Sequence, residues 1–160
     1  MKKKIKGRVW KLGDNINTDV ITPGKYENLP IEKMSQYCLE PFDPDFAKNV
    51  QPNDILVAGE NFGCGSAREI APQALKYLKV GAIIAKSFAR TFFRNSVAIG
   101  FPVLISKDMC SKCSARDILE INFQTPQVKN ISKKINIPIE PIDVMIYEIL
   151  KKGGIFSYFQ

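Results

Sequence analysis

Gly59-Glu60-Asn61-Phe62-Gly63-Cys64-Gly65-Ser66-Ala67-Arg68-Glu69 is the stretch on which the reading of this chain turns. An apolar run, Ile55-Leu56-Val57-Ala58, enters it. A helix-like segment over roughly Ala71 to Leu78 leaves it, and a second apolar run, Ala82-Ile83-Ile84-Ala85, follows. Short, continuous apolar runs bounded by turn residues read as buried strands, so strand, glycine loop, helix and strand make a βαβ unit. In open α/β sheets ligands bind beyond the carboxyl ends of the strands, which is where this loop falls. Gly63 and Gly65 permit positive φ and close backbone approach to a bound anion. Backbone N–H groups gathered near a helix N-terminus suit a carboxylate or phosphate. Arg68 adds a planar fork matched to carboxylate, and Ser66 is the hydroxyl beside it. Together they predict an anion site with a potential base.

Other readings of the same residues compete. Ser66-Ala67-Arg68-Glu69 fits the S-x-x-E capping box, in which Ser66 only satisfies helix N–H groups. Pro72 bears on that choice: deep in a helix capped by Ser66 it would break a hydrogen bond, whereas it suits the first helical position. A helix that begins at Pro72 frees Ser66 for a ligand. Nucleotide loops fit poorly. Gly63-x-Gly65-x-x-Arg68 lacks the third glycine of the dinucleotide fingerprint, Lys86-Ser87 follows the second strand in place of an acidic residue, and no Gly-Lys-Ser/Thr triplet makes a P-loop.

A chain of 160 residues with 45% apolar and 24% charged residues is expected to form a single globular domain over residues 1–160. Its net charge of +7 points to anionic partners, whether acidic metabolites, nucleic acid or an acidic protein surface. The lysines are dispersed (Lys2, Lys3, Lys4, Lys6, Lys133-Lys134, Lys151-Lys152), which is the pattern of a solvated surface. Met1-Lys2-Lys3-Lys4 imitates the start of a signal peptide, but no apolar segment follows it, and no run approaches a membrane span. A cytoplasmic protein is expected. Cys38, Cys64, Cys110 and Cys113 need form no disulfide in such a chain. Cys110-Ser111-Lys112-Cys113 has C-x-x-C spacing, yet it lacks a second ligand pair, so no metal site is expected. There is no histidine. An enzyme made of this chain alone would lack the usual acid–base group near neutral pH, so proton handling and any metal belong largely to another polypeptide.

Outward from the centre, Lys4 to Leu12 reads as a strand, and Gly13-Asp14-Asn15-Ile16-Asn17-Thr18-Asp19 as a loop whose side chains bond their own backbone. Thr18, Asp19 and Thr22 form a polar cluster between that loop and the turn at Thr22-Pro23-Gly24. A short helix is expected around Ile31–Leu39. Phe88, Phe92 and Phe93, with Arg90 and Arg94, predict a helix with a buried stripe and a basic edge. Such interleaving also serves single-stranded nucleic acid, but core packing accounts for it better. Phe101–Ile105 reads as a buried strand, and Ile118–Phe123 and Ile131–Ile139 as strands of a partly exposed sheet. Asp143 to Lys152 reads as a helix ended by Gly153-Gly154.

Three spaced motifs then agree on one family. Asn17-Thr18-Asp19-Val20-Ile21-Thr22-Pro23-Gly24-Lys25-Tyr26, Gly59 through Pro72, and Lys86 through Asn95 with Gly100-Phe101-Pro102 resemble the small subunit of the aconitase superfamily. The form most similar is the separate small chain of 3-isopropylmalate dehydratase and homoaconitase-like relatives, and the likeness runs from about Lys4 to Gly153-Gly154-Ile155. It implies an α/β chain folded as a three-layer β/β/α swivelling domain. It also implies a large partner subunit that carries a [4Fe–4S] cluster on three cysteines, with no cofactor on this chain.

The implied chemistry is the removal and re-addition of water on a small hydroxy-dicarboxylate. By resemblance Ser66 is the base, its alkoxide stabilised by loop N–H donors and positive charge. Arg68 clamps a substrate carboxylate, Gly65 and Ala67 flank the base, and Thr18, Asp19 and Thr22 line the cleft. Ala67 stands where many relatives carry a second serine. The segment Tyr26-Glu27-Asn28-Leu29 corresponds to the part lying over the variable substituent. It contains no arginine, and Glu27 would repel a third carboxylate, which favours an apolar branch such as that of isopropylmalate. Homoaconitate, dimethylmalate and citraconate-type substrates stay open, because the chain departs from the common Tyr-Leu pairing there. The competing class is a stand-alone basic domain that binds RNA or an acidic protein. A membrane partner is not expected, nor is nucleic acid under the enzymatic reading.

Overall fold

Two runs with no polar residue, Ile55–Ala58 and Ala82–Ala85, are buried at every position, and the architecture follows from giving each of their faces a cover. The computed structural model describes residues 2–125 and 127–160; Met1, which opens the lysine-rich start, and Pro126 lie outside the described residues. Its strands are β1 (Lys4–Lys11), β2 (Ile55–Ala58), β3 (Ala82–Ala85), β4 (Val103–Ile105), β5 (Ile118–Asn122), β6 (Gln127–Asn130) and β7 (Ile135–Pro138). They form one curled sheet in the order β4-β3-β2-β1-β5-β6-β7. From β4 to β1 the pairing is parallel, and from β1 to β7 it is antiparallel. Strand β1 belongs to both halves: Val9–Lys11 pair with β2, while Lys4–Arg8 pair with β5.

The helices are α1 (Thr18–Ile21), α2 (Ile31–Met34), α3 (Phe46–Asn49), α4 (Ile70–Tyr77), α5 (Arg90–Ala98), α6 (Met109–Lys112), α7 (Val144–Lys152) and α8 (Ile155–Tyr158). Because side chains alternate along a strand, β2 and β3 feed two cores. Leu56, Ala58, Ile83 and Ala85 face a helical layer with Ala71, Ala74 and Leu75 of α4, Phe92 and Val97 of α5 and Ile149 of α7. Ile55, Val57, Ala82 and Ile84 face the other way, against Leu119, Ile121, Val128 and Ile137 of the antiparallel half and Met109 of α6. Helices, parallel strands and antiparallel strands therefore stack as the expected three-layer β/β/α arrangement.

Local chemistry sets the element ends. Asp143 caps α7 by accepting from the N–H groups of Met145 (2.9 Å) and Ile146 (3.3 Å), and Gly153 closes it in the left-handed region. Helix α4 begins at Ile70, not at Pro72, so the expected start is corrected. Pro72 is the third helical residue, still within the turn whose N–H groups have no intrahelical partner. The strand expected from Ile131 begins only at Ile135, because the preceding residues turn and Lys134 sits at φ 58. Strand β6 and the one-turn helices α1, α3, α6 and α8 were not anticipated. No helix among the described residues is long and apolar enough to cross a membrane.

Asp54, just before β2, is a buried carboxylate that ties β1 to the parallel half. It accepts from Trp10 Nε1 (2.8 Å), Gln51 N (2.9 Å) and the Arg8 guanidinium (3.3 Å). Removing it leaves three part-buried donors without their acceptor. Asp54→Ala is expected to lower stability by roughly 1.5–3 kcal/mol, the range for hydrogen bonds to a charged group. Urea denaturation should show a lower midpoint with an unchanged slope.

Candidate active site

The loops beyond the carboxyl ends of β1, β2 and β3 are laced together. After β2, Gly59 N donates to Gly13 O (3.1 Å), Asn15 N donates to Glu60 O (2.7 Å), and Gly63 N donates to Ile16 O (2.8 Å). On the other side Phe62 N donates to Ser87 O (3.0 Å) and Ala89 N to Phe62 O (2.9 Å). Asp14 Oδ1 and Ser87 Oγ accept from Glu60 N and Asn61 N, both at 2.7 Å. The glycine loop thus runs as an extra strand between its two neighbours, with short bridges at Asn17–Cys64 and Phe62–Phe88.

The two glycines are required by what lies beneath them. Gly63 has φ +82, and a Cβ there would come within 2.2 Å of the Phe92 ring. Gly65 has φ +90, and a Cβ would lie 2.5 Å from Asn17 Nδ2. Phe92 is buried and meets Phe62 edge-on at 5.2 Å, while Arg90 and Arg94 are exposed. The aromatic run after β3 is therefore the floor of the loop, as core packing predicts.

Past Gly65 the loop stops spending its polar groups. Among the described residues, the N–H groups of Gly65, Ser66 and Ala67 donate no hydrogen bond, and neither does the Ser66 hydroxyl. All three residues are exposed. Ser66 is not the helix cap: the N-cap of α4 is Glu69, which makes no side-chain capping bond. The capping-box alternative is thereby removed, because the helix starts four residues beyond the serine.

Arg68 is held by the 19–24 segment. Its guanidinium donates to Thr22 O (3.2 Å) and lies 3.6 Å from Asp19 Oδ1, with its side chain 27% exposed. Asp19 Oδ1 also accepts from Gly24 N (2.8 Å). Thr18 and Thr22 are buried, and their hydroxyls are engaged: Thr18 Oγ1 donates to Ser66 O (2.8 Å), and Thr22 Oγ1 to Thr18 O (3.3 Å). Asn17, Asp14 and Ser87 organise the site without having been singled out. Asn17 caps α1 through Asp19 N and packs against Gly65. An asparagine directly before Thr-Asp was the legible signal of that cap.

The Tyr26-Glu27-Asn28-Leu29 segment starts on the last residue of a 3-10 turn, Gly24–Tyr26, whose glycine lies close to the Arg68 fork. Tyr26 stacks on Tyr37 at 3.8 Å and donates to Glu40 (3.0 Å), whereas Glu27 and Asn28 are exposed and Leu29 is half-buried. Burial pushes the thiol of Cys38 up to about 12 and that of Cys113 up to about 11, which disfavours the thiolate a metal would need. Among the described residues no three acidic or cysteine side chains converge as ligands. The larger hollows of the surface, such as one of about 600 Å³ between Phe123 and Tyr147, are lined by other residues. The loop is donor-rich and open to solvent, without a wall over it among the described residues, and its charged side chains are Arg68 and the exposed Glu60 and Glu69.

The Aconitase C-terminal domain family matches residues 2–108. The 3-isopropylmalate dehydratase small subunit of Halothermothrix orenii is 45% identical over 155 residues, covering 96% of this chain and 94% of its own. That of Methanosarcina mazei is 48% identical over 156 residues, covering 96% and 95%. An isopropylmalate/citramalate isomerase small subunit of Methanocaldococcus jannaschii is 41% identical and covers 100% of this chain and 96% of its own. The crystal structure of a 3-isopropylmalate dehydratase chain from the same archaeon superposes with a TM-score of 0.91 at 39% identity, over 98% of this chain and 93% of that one. The chain belongs to the aconitase C-terminal domain family, among small subunits of the 3-isopropylmalate dehydratase type.

Proposed function

We propose that the chain is the small subunit of a heteromeric 3-isopropylmalate dehydratase. The enzyme would interconvert 2- and 3-isopropylmalate by loss and re-addition of water, a cytoplasmic step of leucine biosynthesis. The observation that carries this reading is the apex of the glycine loop, where three unengaged N–H groups and a free serine hydroxyl stand beside an anchored arginine. The close, full-length relatives supply the reaction class.

In this reading the missing wall is a large subunit that holds a [4Fe–4S] cluster. The cluster, when bound there, supplies Lewis-acid polarisation of the substrate hydroxyl and carboxylate. This chain supplies the rest. Arg68 grips a carboxylate with the part of its fork not given to Thr22 O, which sets the reacting C–H bond against Ser66. Ser66 Oγ, as alkoxide, takes the proton from carbon and returns it on re-addition, while the departing hydroxyl would take its proton from an acid on the large subunit and give it back there when water re-adds, so protons balance over the isomerisation. A serine hydroxyl is hardly acidic. The N–H groups of Gly65, Ser66 and Ala67, with the Arg68 charge nearby, stabilise the anionic oxygen where it forms. Buried Thr18 holds Ser66 by donating its hydroxyl to the Ser66 carbonyl, and the Thr22 carbonyl holds Arg68 by accepting from its guanidinium. A second reading is favoured by the relative named an isopropylmalate/citramalate isomerase small subunit: a methyl-branched hydroxy-dicarboxylate as a further substrate.

Four outcomes are expected. The isolated chain binds no stoichiometric iron or sulfide and turns over no substrate, and activity appears on mixing with the large subunit. Iron and sulfide bound to this chain alone, measured by elemental analysis, would overturn that assignment. In the reconstituted complex, Ser66→Ala should lower kcat by about 10²–10⁴ with little change in substrate affinity. Its stability should stay within about 0.5 kcal/mol of wild type, since the hydroxyl makes no internal bond. Arg68→Lys, which keeps charge but loses the fork, should raise KM as well as lower kcat. Glu27→Arg should move the ratio of kcat/KM toward a tricarboxylate of the homoaconitate type, by roughly tenfold or more if a charge-assisted pair forms. A ratio that does not move would place the exposed Glu27 away from the variable substituent.

A further inference from the structure

The 3-10 turn Gly24–Tyr26 is mounted at two points: the Arg68 fork, and a pair of side chains from the stretch that follows α2. At the first point Gly24 N donates to Asp19 Oδ1 (2.8 Å), and a Cβ placed on Gly24 would lie 3.3 Å from Arg68 Nη2. A carboxylate gripped by that fork therefore has this turn as its neighbour. The second point is Tyr26. Its ring stacks on Tyr37 with centroids 3.8 Å apart and planes 9° from parallel. Its hydroxyl donates to Glu40, 3.0 Å from one carboxylate oxygen and 3.1 Å from the other. Lys25 Nζ lies 3.7 Å from Glu40 Oε1 and 5.1 Å from the centroid of the Tyr26 ring. Leu29 N donates to Tyr26 O (3.0 Å), so the residues that follow take their course from the tyrosine.

The seat of Tyr26 is itself fixed. Tyr37 ends the 3-10 turn Ser35–Tyr37, and the chain reverses through Leu39, which is fully buried at φ 55. A bulky apolar residue in the left-handed region is strained, and it persists only where its surroundings over-determine it. Here they do: Leu39 N donates to Ile21 O (3.0 Å), and Leu39 O accepts from Phe42 N (2.9 Å) and Asp43 N (2.8 Å). Thr22, next to Ile21, gives its carbonyl to the Arg68 guanidinium (3.2 Å). The arginine and the seat of the tyrosine are thus tied to neighbouring carbonyls at the end of α1. Among the described residues neither Tyr26 nor Tyr37 joins the two buried cores, so their stack serves the turn.

We infer that Tyr37 and Glu40 are positioning residues for substrate selection. They hold Tyr26, and through it residues 26–29, at a set distance from the Arg68 fork, and so fix the room left for the substrate's branch. This rests on the proposed function, with Arg68 on a carboxylate and that segment over the variable substituent. Neither residue touches the reacting atoms. Loosening the seat gives up contacts to a bulky branch and leaves the chemistry at Ser66 in place. One methylene in an apolar pocket is worth about 10–200-fold in selectivity, and a wall that is loosened but not removed forfeits part of that.

The test compares isopropylmalate with a methyl-branched malate in the reconstituted two-subunit enzyme, the latter read as an inhibition constant where it is not turned over. Glu40→Ala and Tyr37→Ala should each raise KM for isopropylmalate by about three- to tenfold with kcat within about twofold, while the constant for the methyl-branched acid moves by less than about twofold. Glu40→Gln, whose carbonyl still accepts from the Tyr26 hydroxyl, and Tyr37→Phe, which keeps the stacked ring, should stay near wild type. Asp54→Ala, which lowers stability through other contacts, should leave both constants in place, so instability alone does not imitate the effect. Should the alanine variants fail to fold, Tyr26→Phe removes the hydroxyl alone and should shift the ratio of the two constants in the same direction. A working wild-type complex in which the folded variants leave that ratio unmoved, or impair both acids alike, overturns the positioning role and leaves the proposed function standing. A wild-type complex that turns over neither acid overturns the proposed function and this inference together.

Discussion

Strands β2 and β3 have neither a polar side chain nor a solvent face, so this part of the chain can meet water, ligand or partner only where those strands end. Everything else is arranged around that requirement. Helices cover one side and the antiparallel half of the sheet covers the other. β1 makes this possible by pairing with β2 through its second half and with β5 through its first. Asp54 is a carboxylate buried beneath the junction. Its burial is tolerable because Trp10, Gln51 and Arg8 all donate to its Oδ2.

At the strand ends the polar groups divide into two sets. Asp14, Asn15, Asn17 and Ser87 are consumed in fastening loops to one another. Gly65, Ser66 and Ala67 are left with unspent donors, on a loop with glycines packed too closely on Phe92 and Asn17 to carry a side chain. Under the proposed reading these donors would stabilise a developing negative charge.

How far the sequence foretold this depends on how local the deciding interaction is. Ile55–Ala58 and Ala82–Ala85 were legible because an uninterrupted apolar run of four residues has few places to go. The bounds of α7 were legible because Asp143 and Gly153 act on their immediate neighbours. Strand β6 was not: it buries Val128 beside Asn130, and an asparagine becomes a core residue only when Lys112 O and Asp117 arrive from elsewhere to satisfy it. The same holds in the site. Gly63, Gly65, Ser66 and Arg68 stand out by type and spacing, but the direction of the Thr18 hydroxyl is settled by the Ser66 carbonyl 48 residues away. Likewise Pro72 gave no clue to its own position within the first turn, because both the first and third helical residues dispense with an N–H partner.

Asp19 has a consequence for how a ligand is met. Its carboxylate already occupies a place near the Arg68 fork and is itself tethered by Gly24 N. The arginine is therefore ordered, and partly neutralised, before any substrate arrives. Under the proposed reading, an incoming carboxylate shares this guanidinium with a resident carboxylate, and the local charge balance shifts less than it would around a bare cation. Under that reading an anion is selected by its fit to the remaining N–H groups in the plane of the fork, and small inorganic anions gain little from a guanidinium that already has a carboxylate beside it.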